Sequence, residues 1–85
     1  MQYSVYRFIE EDLETTPNKF AKAIGSKQST FSTWKSREKS VSELPIQLLV
    51  DLAAESGFSY EEVLHKLMKY EAEYETEKAG IDLNG

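Results

Sequence analysis

The chain has 85 residues, of which 40% are hydrophobic and 12% aromatic, so it holds one small domain with a core and is not wholly disordered. It has no cysteine, which excludes a disulfide framework and thiolate metal sites and suits a cytoplasmic protein. Its net charge is −5. The longest nearly apolar stretch, Leu44 to Ala54, is shorter than the ~20 residues of a membrane span, and the N-terminus lacks the pattern of a secretory signal.

Helical periodicity recurs in five segments and strand alternation in none, which predicts an all-α protein. The first helix has its apolar residues at helical spacing, and they are Val5, Phe8, Ile9 and Leu13. Thr16 and Pro17 predict the start of a second helix, because a hydroxyl can cap orphan amides and proline suits the first helical position. Gly25 predicts its end, because glycine adopts the left-handed conformation at little cost.

The third helix follows directly, with Ser26 as its predicted cap and Phe31 and Trp34 facing inward. The segment from Ser36 to Ser42 has no periodicity and is predicted to be a loop. A fourth helix opens at Ser42-Glu43-Leu44-Pro45 and stops at Ser56-Gly57. Its apolar residues are Leu48, Leu49, Leu52 and Ala53.

The fifth helix is predicted to begin at a capping box of Ser59 and Glu62 and to run to Lys78. Its apolar positions form a short seam with heptad-like steps, which we interpret as a dimer interface made of Val63, Leu67, Tyr70 and Tyr74. Intramolecular packing is the alternative for these residues. We predict one folded domain over residues 1–69, an acidic helix extension and tail over 70–85, and a mobile tail after Lys78.

Two short helical patterns joined at Gly25 are typical of a helix-turn-helix, which predicts that the domain over residues 1–69 is a DNA-binding domain. Although the chain is acidic, residues 16–39 carry six basic residues against the single acid Glu38, a net charge of +5, and the remainder carries −10. Such a segment offers the phosphate backbone one attractive face and repels it elsewhere. A solvated charged loop is the alternative interpretation.

The helix order and several residues resemble the phage-repressor class of helix-turn-helix domains, the Cro/CI or Xre-like family. The resemblance spans Val5 to Leu67. Within it, the stretch 45–52 resembles the family's fourth helix and the stretch 57–63 resembles the start of its fifth. The residues that match the family's helix-two threonine, inward alanine, turn glycine and apolar anchors are Thr16, Ala21, Gly25, Phe31 and Trp34. Pro17, Lys35 and Arg37 depart from the family's frequent glutamine, glutamate and glycine.

The resemblance implies a compact five-helix lambda-repressor-like domain with an extended acidic C-terminal helix. It also implies a sequence-specific transcriptional regulator that binds double-stranded DNA as a homodimer on a near-palindromic operator. Many family members have a glutamine at the position of Pro17 that contacts phosphate and braces the recognition helix, and proline cannot make that contact. Lys35 and Arg37 add positive charge where the family has glutamate and glycine. Losing the glycine at Arg37 implies a different exit from helix three.

Helix three would read base edges through residues of its first two turns, since amide and hydroxyl groups pair with bases in the major groove. These predicted base-reading residues are Lys27, Gln28, Ser29, Ser32 and Thr33. Phosphates would be bound at the start of helix two and beyond the end of helix three. The predicted phosphate-binding residues are Thr16, Asn18, Lys19, Lys35, Arg37, Lys39 and Ser40. A merely polar helix start and a solvated loop are the alternatives.

No catalysis, cofactor or metal is predicted, because His65 is the only histidine and has no ligand-spaced carboxylates around it. Two other interpretations use the same fold. One is an antitoxin-like protein whose acidic tail, Tyr70 to Asp82, covers a basic protein partner. The other is a phage-encoded protein-interaction adaptor that does not bind DNA, which the acidity of the chain favours.

Overall fold

The structure is a computed structural model that describes residues 2–80, and these form five α-helices and no strand. Helix α1 (Ser4–Arg7) continues without a break into a π-helical segment (Phe8–Asp12). In this segment the Leu13 amide donates to the Phe8 carbonyl at 3.2 Å. A π turn inserts one extra residue into the helical repeat, so the residues beyond it are rotated from their ideal α-helical positions.

Helices α2 (Pro17–Ala23) and α3 (Gln28–Ser36) lie on either side of the turn at Gly25. The predicted cap of α2 is confirmed, because the Thr16 hydroxyl accepts a hydrogen bond from the Lys19 amide at 3.2 Å. The predicted cap of α3 is wrong. Lys27 occupies the N-cap position and makes no side-chain cap, so Ser26 belongs to the turn instead.

Helices α4 (Ile46–Ser56) and α5 (Tyr60–Lys78) form the second half of the protein. Helix α4 begins after Pro45, later than predicted, because Val41–Glu43 forms a separate short 3-10 helix inside the expected loop and helix start. Gly57 ends α4 with φ +79°, and the capping box of Ser59 and Glu62 is present as predicted.

The core gathers apolar residues from every helix, and α5 packs against both α1 and α4. Its fully buried large side chains include Phe8, Ile9, Phe31, Leu52 and Leu67. The radius of gyration is 12.8 Å, close to the ~12 Å of a globular chain of this length. Within residues 2–80, no helix combines the length and hydropathy needed to cross a membrane. The protein is therefore compact and all-helical, as predicted.

The dimer seam predicted on α5 faces the protein's own core. Val63 and Leu67 are completely buried and Tyr70 is 6% exposed, so these three side chains have no surface left for a second copy in this fold. Tyr74 is half-buried, and its hydroxyl donates to Glu38 at 3.1 Å. The heptad-like spacing therefore reports packing within one chain, which was the alternative interpretation.

The acidic end of α5 is tied to the first helix. Arg7 forms an ion pair with Glu73 at 3.0 Å, and its guanidinium carbon lies 4.1 Å from the centre of the Tyr70 ring. The Tyr70 hydroxyl donates to the Asp12 carboxylate at 2.6 Å. Helix α5 continues through residues 69 and 70 without interruption. The tail predicted after Lys78 lies outside the described residues from position 81 onward.

We predict that stability falls as the pH rises between about 10 and 12, and that Tyr70→Phe reduces this fall. Burial, and then the bond to Asp12, raises the pKa of Tyr70 from 10.0 to about 12. As the pH rises, the Tyr70 hydroxyl therefore loses its proton first in the unfolded chain. Its contribution to the free energy of unfolding is complete below the unfolded-state pKa and is lost as the pH passes through the folded-state pKa.

Urea unfolding of both proteins at a series of pH values measures the effect. At neutral pH the variant should lose only its hydrogen bond, about 1–2 kcal/mol. The same decline with pH in both proteins would show that the hydroxyl ionises as readily in the folded state as in the unfolded one.

Candidate nucleic-acid interface

The turn between α2 and α3 fixes the direction of α3. Gly25 has φ +69°, and the amide of Ser26 donates to the Ala21 carbonyl at 2.8 Å. This 6→1 bond, together with the bond from Gly25 to Lys22 at 3.2 Å, is the Schellman arrangement that ends a helix at a left-handed residue. The chain therefore reverses within a few residues and starts α3 immediately.

Aromatic packing then holds α3 against α2. The rings of Phe20 and Phe31 stack with their centres 5.9 Å apart, and Trp34 lies 5.3 Å from Phe31. Phe31 is buried and Trp34 is half-buried at the edge of the core. Core packing of both residues is as predicted, and it makes one side of α3 the inner side.

The opposite side of α3 is polar and faces outward. Successive residues of an α-helix are ~100° apart, which places positions 29, 32 and 33 on the side away from Phe31 and Trp34, and position 28 at the margin of that side. Gln28, Ser29 and Thr33 are exposed, whereas Ser32 is half-buried. We call this side, together with Lys27 at the N-cap, the polar edge of α3. The structure thus brings the five predicted base-reading residues together.

Two hydroxyl-bearing residues near the end of α3, Thr33 and Ser36, bear on how the polar edge could contact a base. The Thr33 hydroxyl donates to the Ser29 carbonyl of its own helix at 2.9 Å, so it retains only acceptor capacity and its methyl group for a base. Ser36, the last residue of α3, is exposed and lies four residues beyond Ser32 on the same side. Ser36 was predicted to lie in a loop, although its i+4 spacing from Ser32 indicates that it extends the polar edge.

A groove of about 330 Å³ lies between the turn, α3 and the start of α4. Its floor is formed by Phe31, Trp34 and Leu48, and the carboxylate of Asp51 lines it. A carboxylate at this position repels phosphate. Because Phe31 and Trp34 line it, the groove belongs to the inner side of α3 and not to the polar edge.

Most cations of the central segment have no acidic partner. Lys19, Lys22, Lys27 and Arg37 are exposed, and none of them forms an ion pair with a carboxylate of residues 2–80. Lys35 is also exposed, with its ammonium 5.0 Å from the centre of the Tyr6 ring. Lys22 was counted in the charge of the segment but was not assigned a role. Unpaired surface cations keep their full attraction for an anionic ligand.

The single acid of the central segment is neutralised from α5. Glu38 forms an ion pair with Lys78 and accepts a hydrogen bond from Tyr74, and these contacts hold the pKa of its carboxyl below the ordinary value. Glu38 also has φ +51°, and Lys39 donates to Trp34 at 2.9 Å. The exit from α3 is thus a second Schellman turn, with glutamate in the place that glycine usually takes.

The remaining predicted phosphate-binding residues differ in their surroundings. Thr16 and Asn18 are exposed at the start of α2, where Thr16 also caps the helix. Lys39 and Ser40 are only half-exposed. The hydroxyl of Ser40 lies 3.4 Å from a carboxylate oxygen of Glu71, a charge that repels phosphate, so the structure counts against a phosphate at Ser40.

Comparison of the chain with protein-family models, with curated proteins and with solved structures gave no match. The resemblance to phage repressors therefore stays a prediction. Within residues 2–80, no three histidine or acidic side chains are grouped so that they could hold a metal ion. The candidate site consists of the polar edge of α3 and the cations beside it.

We predict that Gly25→Ala lowers the free energy of unfolding by about 1–2 kcal/mol, the cost of a left-handed residue with a Cβ atom. An added Cβ meets no atom within 4 Å, so the loss would come from the backbone alone. Gly25→Asn should lose less, because asparagine tolerates this conformation. Urea unfolding of the three proteins tests this, and equal stability of wild type and Gly25→Ala would contradict it.

Proposed function

We propose that the protein is a small sequence-specific transcriptional regulator that binds double-stranded DNA with a lambda-repressor-like helix-turn-helix domain. Helix α2 would cross the phosphate backbone, and the polar edge of α3 would enter the major groove. The protein would act as a homodimer on two half-sites of a near-palindromic operator. The cytoplasm is the corresponding location.

The observation that carries this proposal is the pairing of an exposed polar edge with unpaired cations. Gln28 can form a bidentate pair with adenine, and Ser29 can serve several bases. Four cations lie before or just after α3 along the chain and have no ion pairs within the described residues; they are Lys19, Lys22, Lys27 and Arg37. Neutralisation of Glu38 by Lys78 removes the one repulsive charge in the segment.

The antitoxin-like alternative is less well supported, because two acids of its proposed tail, Glu71 and Glu73, already have partners within the protein. Glu73 pairs with Arg7 at 3.0 Å, and a carboxylate oxygen of Glu71 accepts the Val41 amide at 2.7 Å. A basic protein partner would have to break these contacts first. The part of that tail from position 81 to Asp82 lies outside the described residues. The adaptor alternative predicts no affinity for any duplex, even at low salt.

We predict that the double variant Gln28→Ala/Ser29→Ala loses sequence preference. Each good bidentate base pair contributes about 1–3 kcal/mol of discrimination, so preference for a selected operator over a random duplex should fall at least about tenfold. The operator is first obtained by duplex selection with the wild-type protein, and affinities are then measured by fluorescence anisotropy.

Gln2→Ala is the matched control, because Gln2 is exposed and its amide bonds only Glu10, far along the chain from α3. It should retain wild-type preference. Unchanged affinity and preference in a folded double variant would refute base reading by these residues. Failure of the selection to enrich any duplex would favour the adaptor alternative.

We predict that Arg37→Gln weakens binding to all duplexes alike and reduces the slope of log affinity against log salt by about 1. The reason is that a phosphate contact releases a counterion but carries no sequence information. Lys66→Gln is the control, since Lys66 pairs with Asp12 at 3.0 Å on the α5 side of the protein. An unchanged slope for Arg37→Gln would remove Arg37 from the phosphate contacts.

A further inference from the structure

The groove on the inner side of α3 lies where α3 and α4 are held apart. Helix α3 packs against α2, and α4 packs against α5, whereas α3 and α4 do not pack closely against each other. The gap between them is the groove of about 330 Å³, whose floor is formed by Phe31, Trp34 and Leu48. This volume falls at the lower end of the roughly 300–1,000 Å³ that is typical of small-molecule sites.

Asp51 gives the groove its charge. It is half-buried, and it is the only ionisable residue among those that line the groove. Its Oδ1 atom accepts a hydrogen bond from the Gln47 amide at 3.1 Å. Its Oδ2 atom has no hydrogen-bond partner within residues 2–80, and no cation of these residues forms an ion pair with the carboxylate. A partly desolvated carboxylate without a counter-charge attracts a cation more strongly than a fully hydrated one does.

The rest of the lining suits the body of a small organic cation. The apolar floor offers contact to an aliphatic chain or a ring, and a cation is also attracted to the face of an aromatic ring such as that of Trp34. The hydroxyls of Ser26 and Thr30 line the same groove and make no hydrogen bond within the described residues. An ammonium group has three donors, so the groove supplies acceptors beyond the carboxylate.

We propose that this groove is a binding site for a small organic cation. The ammonium group of the ligand pairs with Asp51, and its aromatic or aliphatic body lies on Phe31, Trp34 and Leu48. Such a ligand contacts α3 and α4 at the same time and fills the gap between them. The proposal does not depend on DNA binding, because the polar edge lies on the other side of α3.

The composition of the lining excludes other kinds of occupant. An anion is disfavoured, because no lysine, arginine or histidine lines the groove. A hard metal ion needs about six oxygen ligands, and the groove has a single carboxylate above an apolar floor. A specific protein interface uses roughly 20–30 residues on each side, and ten residues line this groove. Its size and charge therefore favour a small amine.

Trp34 provides a direct readout, because it is the only tryptophan of the chain and it lines the groove. The probes are phenethylamine and hexylamine, and their neutral counterparts of similar shape are 2-phenylethanol and 1-hexanol. Each is titrated into the protein without DNA at physiological ionic strength, where long-range attraction between charges is screened, and tryptophan fluorescence is followed. At least one amine should bind with a Kd on the order of 1 mM or below, at least about tenfold more tightly than its alcohol.

Asp51→Asn removes the charge and keeps the size of the side chain, and Glu55→Gln is the matched control. Glu55 is exposed one turn further along α4 and does not line the groove, so its substitution changes the net charge by the same amount. Both variants should give the circular dichroism spectrum of the wild type. Asp51→Asn should bind the amine at least about tenfold more weakly, with about the affinity of the alcohol. Glu55→Gln should keep the affinity of the wild type.

Absence of saturable binding of both amines up to about 10 mM would overturn the site. Equal affinity of amine and alcohol for the wild type would also overturn it, because the groove would then bind apolar molecules without recognising charge. An equal effect of the two variants would show that the amines respond to the overall charge of the protein and not to Asp51. None of these measurements includes DNA, so their outcome is separate from that of the duplex selection, which tests the proposed function.

Discussion

The burial of one side of α5 against α1 and α4 is the constraint on which the rest of the structure depends. Val63 and Leu67 are completely buried there, and Tyr70 extends the same side toward the N-terminal segment. An 85-residue chain without cysteine has no disulfide to stabilise it and depends on such a core. Because α5 contacts α1, the π-helical segment and α4, it joins the beginning of the chain to its second half.

Local signals predicted the helices well where one residue determines the backbone. Thr16, Gly25 and Ser59 each satisfy groups that would otherwise lack partners, and each acts in the structure as its chemistry predicts. The end of α3 and the π-helical turn were not predicted, because at both places the backbone departs from the usual residue preferences. Glu38 adopts a left-handed conformation without being glycine, and the π-helical turn at Phe8 has no compositional signal.

Periodicity predicted which side of a helix is apolar but not what covers it. The spacing of Val63, Leu67 and Tyr70 fits an intramolecular core and a dimer seam equally well, and only the positions of α1 and α4 decide between them. For α3 the same reasoning succeeded, because Phe31 and Trp34 fixed the inner side and left Gln28 and Ser29 outside. The partners of charged residues were invisible, since ion pairs such as Arg7 with Glu73 join positions far apart in sequence.

The contacts of the last turns of α5 define how much of the chain must be kept for autonomous folding. Arg7, Val41 and Glu38 all find partners between residues 71 and 78. A fragment that stopped at residue 69, where composition alone suggested a boundary, would leave the Val41 amide and the Arg7 guanidinium without these acceptors. Any transplantation of α2 and α3 into a chimeric protein therefore has to carry the acidic helix with them.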